Sequence, residues 1–205
     1  HKMKKLLMIL LMISLCGCTA QTTPEPTAKP TGAAGCDISA ECDTMEPADM
    51  SAYEAMVGNN HFVKADMKEV TDMFDKGETF IFYVGFNKCP WCQEAVPVLN
   101  EVAEGYDDVK IMYVDARPDG EKENDLRNEE NPDYVALQEK VEEILDETRK
   151  IYAPTVVWVK EGKLVASHVG TVDDHDAHER KMTEEEVETL RDTYTKCFDT
   201  FVGNE

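Results

Sequence analysis

The junction between a strongly apolar run and a pair of cysteines constrains the possible folds of this chain more than any other feature. The run TFIFYVGF (79–86) is β-prone and carries no charge, which is typical of a central strand covered on both faces. CPWC (89–92) follows shortly after, and Val96, Leu99 and Val102 then recur at the spacing of a helix face. A buried strand that leads into two cysteines at the start of a helix indicates an α/β fold.

Further apolar segments alternate between strand and helix patterns along the chain. Strands are expected at 61–64, 109–116, 154–160 and 163–170, and helices at 67–77, 132–151 and 183–202. Asp66 is a suitable N-cap for the first of these helices, and Thr183 with Glu186 forms a capping box for the last. The order β-α-β-α-β-α-β-β-α predicts a mixed central β-sheet with helices on both faces.

The N-terminus has the composition of an export signal. Basic residues precede an apolar run, 6–15, that is too short to span a bilayer comfortably. The following LCGC (15–18) resembles the lipobox of bacterial lipoproteins, which implies a signal peptide over 1–17 and a lipid on Cys18. An ordinary secretory signal or an uncleaved anchor are the alternatives. Each of these interpretations places the rest of the chain outside the cytoplasm, and the lipobox predicts tethering to the bacterial cell membrane.

Residues 18–50 are expected to form a tether, because the segment after Cys18 is rich in Pro, Thr, Ala and Gly and has no apolar periodicity. Cys36 and Cys42 lie close enough in sequence to form a structural disulfide in an oxidising compartment, or they remain free thiols. The folded domain is predicted to span 51–205. It includes an acidic insert at about 117–150, which forms either a lid or partner surface or simply a solvated helix.

The charge of the chain excludes two classes of partner. Its 42 acidic residues outnumber 21 Lys and Arg, which gives a formal net charge of -21. Nucleic acids and anionic lipid headgroups are themselves polyanions, so neither is an expected ligand. No pattern indicates a nucleotide, flavin or haem site, and the expected redox group is the Cys89–Cys92 pair itself.

The position of the cysteine pair favours redox chemistry. A helix N-terminus stabilises a thiolate, and Pro90 suits the first helical turn because its missing N–H would be unpaired there. Lys88 adds a neighbouring cation, so Cys89 is expected to be the exposed nucleophile of low pKa and Cys92 the buried second thiol. A zinc site lacks a second CxxC or histidines at a ligand spacing, and a structural clip gains little from so short a loop.

These segments together resemble the thioredoxin superfamily. The stretch from FYVGFNKCPWC to KIMYVDA follows its order of strand, active site, helix and strand, and Pro97 matches the proline inside the active-site helix. YAPTVVWVKEGKLVASHVG resembles the cis-proline strand and hairpin, with Pro154 at the cis-proline position and Gly170 at its end. The resemblance implies a thioredoxin fold, a cis Ala153–Pro154 bond lying against Cys89, and an Ala153 backbone that pairs with a client peptide. Trp91 is expected to be exposed beside the sulfurs as an apolar contact for clients.

The chain departs from the superfamily pattern at three places. Tyr83 occupies the position of a buried acid, Lys88 replaces an aromatic residue before the first cysteine, and the central dipeptide is Pro-Trp. Proton transfer at Cys92 therefore needs another group or water. The direction of the reaction, reductase against oxidase or isomerase, stays open.

The sequence as a whole predicts a membrane-anchored extracytoplasmic thiol-disulfide oxidoreductase. Its clients would be disulfide-bearing or dithiol proteins and peptides, and a membrane thiol protein would donate or accept electrons. The chain is also similar to bacteriocin transport accessory proteins, which suggests secreted peptides as clients. The alternative is a non-enzymatic thioredoxin-fold module that binds a secreted peptide or a transporter.

Two remaining features have competing interpretations. The run DDHDAHE (173–179) contains His175 and His178 and is either a solvated loop at the rim of the site or a divalent metal site. Cys197 falls on the apolar face of the last helix and is interpreted as a buried, inert thiol.

Overall fold

The computed structural model describes residues 45–203. Over these residues the strands are β1 (Phe62–Ala65), β2 (Phe80–Gly85), β3 (Ile111–Asp115), β4 (Thr155–Lys160) and β5 (Lys163–Val169). The α-helices are α1 (Met67–Asp75), α2 (Pro90–Ala103), α3 (Pro132–Lys140) and α4 (Glu184–Val202). Cys18, Cys36 and Cys42 lie outside the described residues, as do the predicted signal and most of the predicted tether.

The five strands form one mixed sheet in the order β1-β3-β2-β4-β5. β1, β3 and β2 run parallel, β4 pairs antiparallel to β2, and β5 pairs antiparallel to β4. Every residue of the central strand β2 is buried, as its uncharged sequence predicts. The strand order and directions are those of the thioredoxin fold, so the predicted fold class is confirmed.

The sheet is covered by a pair of helices on each face. On one face Phe74 of α1 packs its ring edge-on against Phe80 and Phe82 of β2, and α3 packs beside α1. On the other face Trp158 of β4 packs against Phe198 of α4, and α2 lies beside α4. This second face holds the start of α2, where the cysteine pair is located.

The predicted helix starts are confirmed in detail. The Asp66 side chain accepts the Glu69 N–H and the Glu69 carboxylate accepts the Asp66 N–H, which gives α1 a capping box. Thr183 and Glu186 form the same reciprocal pair at α4. Each box satisfies backbone donors that a helix N-terminus otherwise leaves unpaired.

The helix predicted over 132–151 is shorter than expected. α3 ends at Lys140, and a single 3-10 turn over Glu142–Ile144 follows. The Asp146 carboxylate accepts both the backbone N–H and the hydroxyl of Thr148, a local bond that competes with continued helix. The chain then turns inward, and the buried Ile151 donates its N–H to the Tyr134 hydroxyl at 3.1 Å.

Packed structure reaches back several residues before Ser51, where the sequence places the start of the domain. Pro47 forms an antiparallel bridge with Val63 on the free edge of β1, and Ala48 and Met50 are buried. A single bridge and isolated apolar residues carry no periodicity, so the sequence pattern did not show this segment.

Candidate functional site

Cys89 is the N-cap residue of α2 and lies where the carboxyl end of β2 meets the helix. Its sulfur accepts the Cys92 backbone N–H at 3.3 Å, and Pro90 occupies the first helical turn as expected. The pKa of Cys89 is lowered by a hydrogen bond from the Cys92 side chain and by the backbone N–H groups of Cys92 and Trp91, against an opposing effect of burial. The sequence correctly predicts the direction of this shift. Cys89 is nevertheless only 4% exposed, so the expectation of an exposed sulfur is wrong.

Cys92 has the opposite environment. Its side chain is fully buried, and this burial raises its pKa well above the ordinary value. The dithiol therefore contains one sulfur that ionises readily and one that stays protonated, which is the arrangement that the sequence predicts. Such an asymmetric pair can attack a disulfide with one thiol and release the client with the other.

The start of β4 approaches Cys89 from the opposite side. The Ala153–Pro154 peptide bond is cis, as the resemblance implies. The Cys89 thiol donates to the Ala153 carbonyl oxygen at 3.5 Å, so the chain brings together two segments that are far apart in sequence. Gly170, at a φ of 78°, closes the hairpin by donating its N–H to the Pro154 carbonyl.

Lys88 forms an ion pair in the structure. Its side chain is exposed, and its ammonium group pairs with the Glu121 carboxylate at 2.5 Å, which raises the pKa of Lys88. The cation that helps to lower the pKa of Cys89 is Arg127. The Glu121 carboxylate partly neutralises the Lys88 charge, and the assignment of Lys88 to pKa tuning stays a prediction.

The residues between β3 and α3 form a cluster that the sequence did not reveal. Asp125 accepts from Arg117 and Arg127, each at 2.7 Å, and both guanidinium groups lie over the Phe86 ring, at 4.2 and 5.4 Å. Burial raises the pKa of Asp125, but the hydrogen bonds from Arg127 and Arg117 outweigh it and hold that pKa at about 2. The presence of Arg117 and Arg127 in this largely acidic connection was the only available signal.

Trp91 is half-buried rather than exposed. Its indole N–H donates to the His175 carbonyl at 3.2 Å, and its ring meets the His178 ring edge-on at 4.7 Å. The loop over 171–179 thus lies against the start of α2, so it forms part of the rim of the site. Both ring nitrogens of His175 are engaged, with the Thr171 hydroxyl at 2.7 Å and the Arg180 carbonyl at 3.0 Å, so its ring is occupied structurally.

The remaining thiol of the described residues is Cys197 on α4. It is half-buried rather than fully buried, and burial raises its pKa to about 11. A thiol of this pKa is almost entirely protonated at neutral pH and reacts slowly.

Comparisons with known proteins give structural matches alone. No protein-family model and no curated protein matches the chain. Mitochondrial thioredoxin 3 from Saccharomyces cerevisiae, in its oxidised form, is 18% identical with a TM-score of 0.34. Thioredoxin O2 from Arabidopsis thaliana, in its oxidised state, is 21% identical with a TM-score of 0.35. Each comparison covers 58% of this chain and 87% of the other.

Proposed function

We propose that this chain is a thiol-disulfide oxidoreductase whose redox group is the Cys89–Cys92 pair. The observation that carries the proposal is the opposite shift in pKa of the two thiols at the start of one helix. The contact between Cys89 and the Ala153 carbonyl, next to the cis Pro154, supports it further. A client peptide that pairs with the Ala153 backbone would therefore lie beside the Cys89 sulfur.

The reaction follows from this asymmetry. The Cys89 thiolate attacks one sulfur of a client disulfide, forms a mixed disulfide, and releases the other client sulfur as a thiolate that takes a proton from water. Cys92 then loses its proton and attacks Cys89. The Cys89–Cys92 disulfide forms, the second client sulfur leaves and is protonated, and two electrons have passed to the client. In the oxidising direction every step runs in reverse.

The location and the clients form a further part of the proposal. The lipobox-like LCGC, with Cys18 as the lipidated residue, supports a lipoprotein tethered outside the bacterial cell membrane. Disulfides of secreted or surface proteins and peptides are the substrates present there. Within residues 45–203 no helix has the length and apolar character needed to cross a bilayer.

Substitution of the nucleophile tests the proposal against a purely binding role. Full-length reduced protein is mixed with a disulfide-bonded model protein, and formation of the reduced model protein is followed by acid quenching, alkylation and mass spectrometry for the wild type, Cys89→Ser and Cys92→Ser. We expect Cys89→Ser to abolish turnover and Cys92→Ser to accumulate a mixed disulfide. If Cys89→Ser retains turnover, the proposed function is wrong, and a wild type without turnover in either direction leaves only the binding module.

The equilibrium potential of the pair distinguishes reductase from oxidase. Potentials of related dithiols extend from about -270 to about -120 mV. Equilibration against glutathione buffers, with the Cys89–Cys92 disulfide quantified after acid quenching, places this chain within that interval. A value at the reducing end contradicts an oxidase, and a value at the oxidising end contradicts a reductase.

A further inference from the structure

The hydroxyl of Tyr83 is a buried polar group without a hydrogen-bond partner among the described residues. Tyr83 is fully buried on β2, and its ring stacks on that of Tyr113 at 5.4 Å. The neighbouring hydroxyls of Tyr53 and Tyr113 satisfy each other at 2.8 Å. An unpaired buried hydroxyl normally destabilises a fold by about 1–3 kcal/mol, so its retention calls for an explanation.

The backbone directs this hydroxyl towards the cysteines. Tyr83 points to the same sheet face as Ile81, whose register partner Trp158 packs under α4, and α2 covers that face too. The ring folds over Gly85 towards the carboxyl end of β2. A Cβ on Gly85 would collide with the hydroxyl and lie 2.6 Å from the ring atoms Cε1 and Cζ. Glycine at this position leaves room for the hydroxyl immediately before α2 begins.

We propose that Tyr83 is a catalytic residue whose hydroxyl donates a hydrogen bond to the Cys92 sulfur as that thiol becomes a thiolate. This inference rests on the proposed oxidoreductase function. Burial raises the pKa of Cys92, and the Tyr83 hydroxyl opposes this effect by favouring the Cys92 thiolate. Tyr83 thus supplies a neutral donor at the position where the superfamily pattern has an acid.

The hydrogen bond acts in the second half of the reaction. In the mixed disulfide Cys92 loses its proton to water, and its thiolate forms while the Cys89 sulfur is bonded to the client. The bond between Cys92 and Cys89 then forms as the Cys89–client bond breaks. Tyr83 keeps its own proton throughout, because burial raises its pKa well above the ordinary value.

Other ionisable groups face Cys92 from the elements around it. They are Cys89 on α2, Tyr53 in the N-terminal segment, Tyr113 on β3, Tyr194 on α4 and Arg127 in the insert.

A carboxyl group, that of Asp115, also lies on the face of the sheet that carries Tyr83. Asp115 of β3 is the register partner of Gly85, and it accepts the Arg117 N–H at 2.9 Å. Asp115 is therefore the competing candidate for proton transfer, and the experiment has to separate its effect from that of Tyr83.

Reaction with the small disulfide 5,5′-dithiobis(2-nitrobenzoate) allows the attack of Cys92 on the mixed disulfide to be measured by itself. Attack by Cys89 releases one coloured thiolate, and attack by Cys92 on the resulting mixed disulfide releases a second. Stopped-flow absorbance of the full-length reduced protein resolves the two phases across a pH series, and the Cys89→Ser trace gives the background from other thiols. Hydrogen bonds to charged groups predict that Tyr83→Phe slows the second phase at pH 7 by about ten- to a hundredfold, moves its pH midpoint upward, and leaves the first phase unchanged.

Two matched variants serve as controls. Tyr106→Phe removes the hydroxyl of a tyrosine that is not one of the groups facing Cys92 and that donates to the Asp199 carboxylate at 2.9 Å, and we expect both phases to keep their wild-type pH profiles. Asp115→Asn removes the competing carboxyl group, and we expect it to leave the pH midpoint of the second phase in place. If Asp115→Asn shifts that midpoint and Tyr83→Phe does not, the inference is wrong.

The outcomes also separate this inference from the proposed function. A wild type in which Cys89 reacts no faster than the background thiols contradicts the proposed function. If the wild type shows two phases and Tyr83→Phe leaves the second phase unchanged, the role of Tyr83 is contradicted and the proposed function is not.

Global replacement of tyrosine by 3-fluorotyrosine, whose hydroxyl is a stronger hydrogen-bond donor, gives a second measurement that keeps every tyrosine hydroxyl in place. We expect it to accelerate the second phase, and no acceleration would count against the inference.

Discussion

At the scale of single residues, the chemistry of the site depends on how differently two neighbouring thiols are solvated. Cys89 receives hydrogen bonds from the helix start, and these favour its thiolate. Cys92 lies one turn deeper against aromatic side chains, where burial favours the neutral thiol. The dipeptide between them is too short to produce this difference alone, so the surroundings of each sulfur determine its role.

Arg127 helps to lower the pKa of Cys89, whereas Lys88 forms an ion pair with Glu121, and this difference gives a prediction for single residues. Arg127→Gln removes a cation that stabilises the Cys89 thiolate, so the pKa of Cys89 should rise towards its ordinary value. Below neutral pH the thiolate fraction then falls, and alkylation of Cys89 by iodoacetamide should slow by about two- to fivefold, the size expected for a partly solvated charge pair. The measurement is the pH profile of alkylation, read by mass spectrometry.

Lys88→Gln is the matched control for that change. Lys88 is adjacent to Cys89 in sequence, but its ammonium group pairs with Glu121. We expect its alkylation profile to coincide with that of the wild type. A larger effect from Lys88→Gln than from Arg127→Gln would show that sequence proximity, rather than the observed geometry, determines the field at the sulfur.

At the scale of elements, local signals were the most reliable predictors. The caps at Asp66 and Thr183 and the uncharged run of β2 each depend on residues a few positions apart, and all are confirmed. The end of α3 was not predictable in this way. It depends on the Asp146–Thr148 bond and on the burial of Ile151, and the second of these is a tertiary effect.

The capping box of α4 allows the contribution of such a local signal to stability to be measured. Thr183→Ala removes the side-chain acceptor of the Glu186 N–H and should lower the free energy of unfolding by about 1 kcal/mol. Urea denaturation followed by circular dichroism measures the change.

The control for the cap lies six residues further along, inside the same helix. Thr189 is exposed, and its hydroxyl bonds back to the Glu185 carbonyl inside the helix. Since alanine has the higher helix propensity, Thr189→Ala should be neutral or slightly stabilising. Equal losses from the two variants would contradict a specific role for the capping box.

At the scale of the whole molecule, the residues of the site come from segments that only the complete sheet brings together. Pro154 and the cysteine pair were recognisable from the sequence because both match the pattern that the sequence resembles. The sequence did not reveal the contributions of Arg127 and Tyr53 or the loop contact of Trp91. Each of these depends on how a connecting segment folds back over the sheet. Sequence reasoning therefore identified the candidate cysteine pair and missed much of what surrounds it.

The net charge gives a prediction for the molecule as a whole. A formal charge of -21 destabilises the compact state through self-repulsion, and salt screens this repulsion. Raising sodium chloride from about 10 mM to about 200 mM should stabilise the fold by about 1 kcal/mol, a rise in Tm of about 2–4 °C. Differential scanning calorimetry measures it, and the effect should level off above that range. A Tm that does not respond, or that falls, would contradict the argument.

As an N-cap residue, Cys89 has two separable roles: its sulfur is the proposed nucleophile, and the same atom accepts a backbone N–H at the start of α2. Serine is among the preferred N-cap residues, and its hydroxyl accepts the same N–H that the Cys89 sulfur accepts. Cys89→Ser therefore replaces the reactive atom with one that is at least as suitable for the helix. We therefore expect Cys89→Ser to keep its fold, so that a loss of activity in this variant would report on the missing sulfur and not on damage to the scaffold.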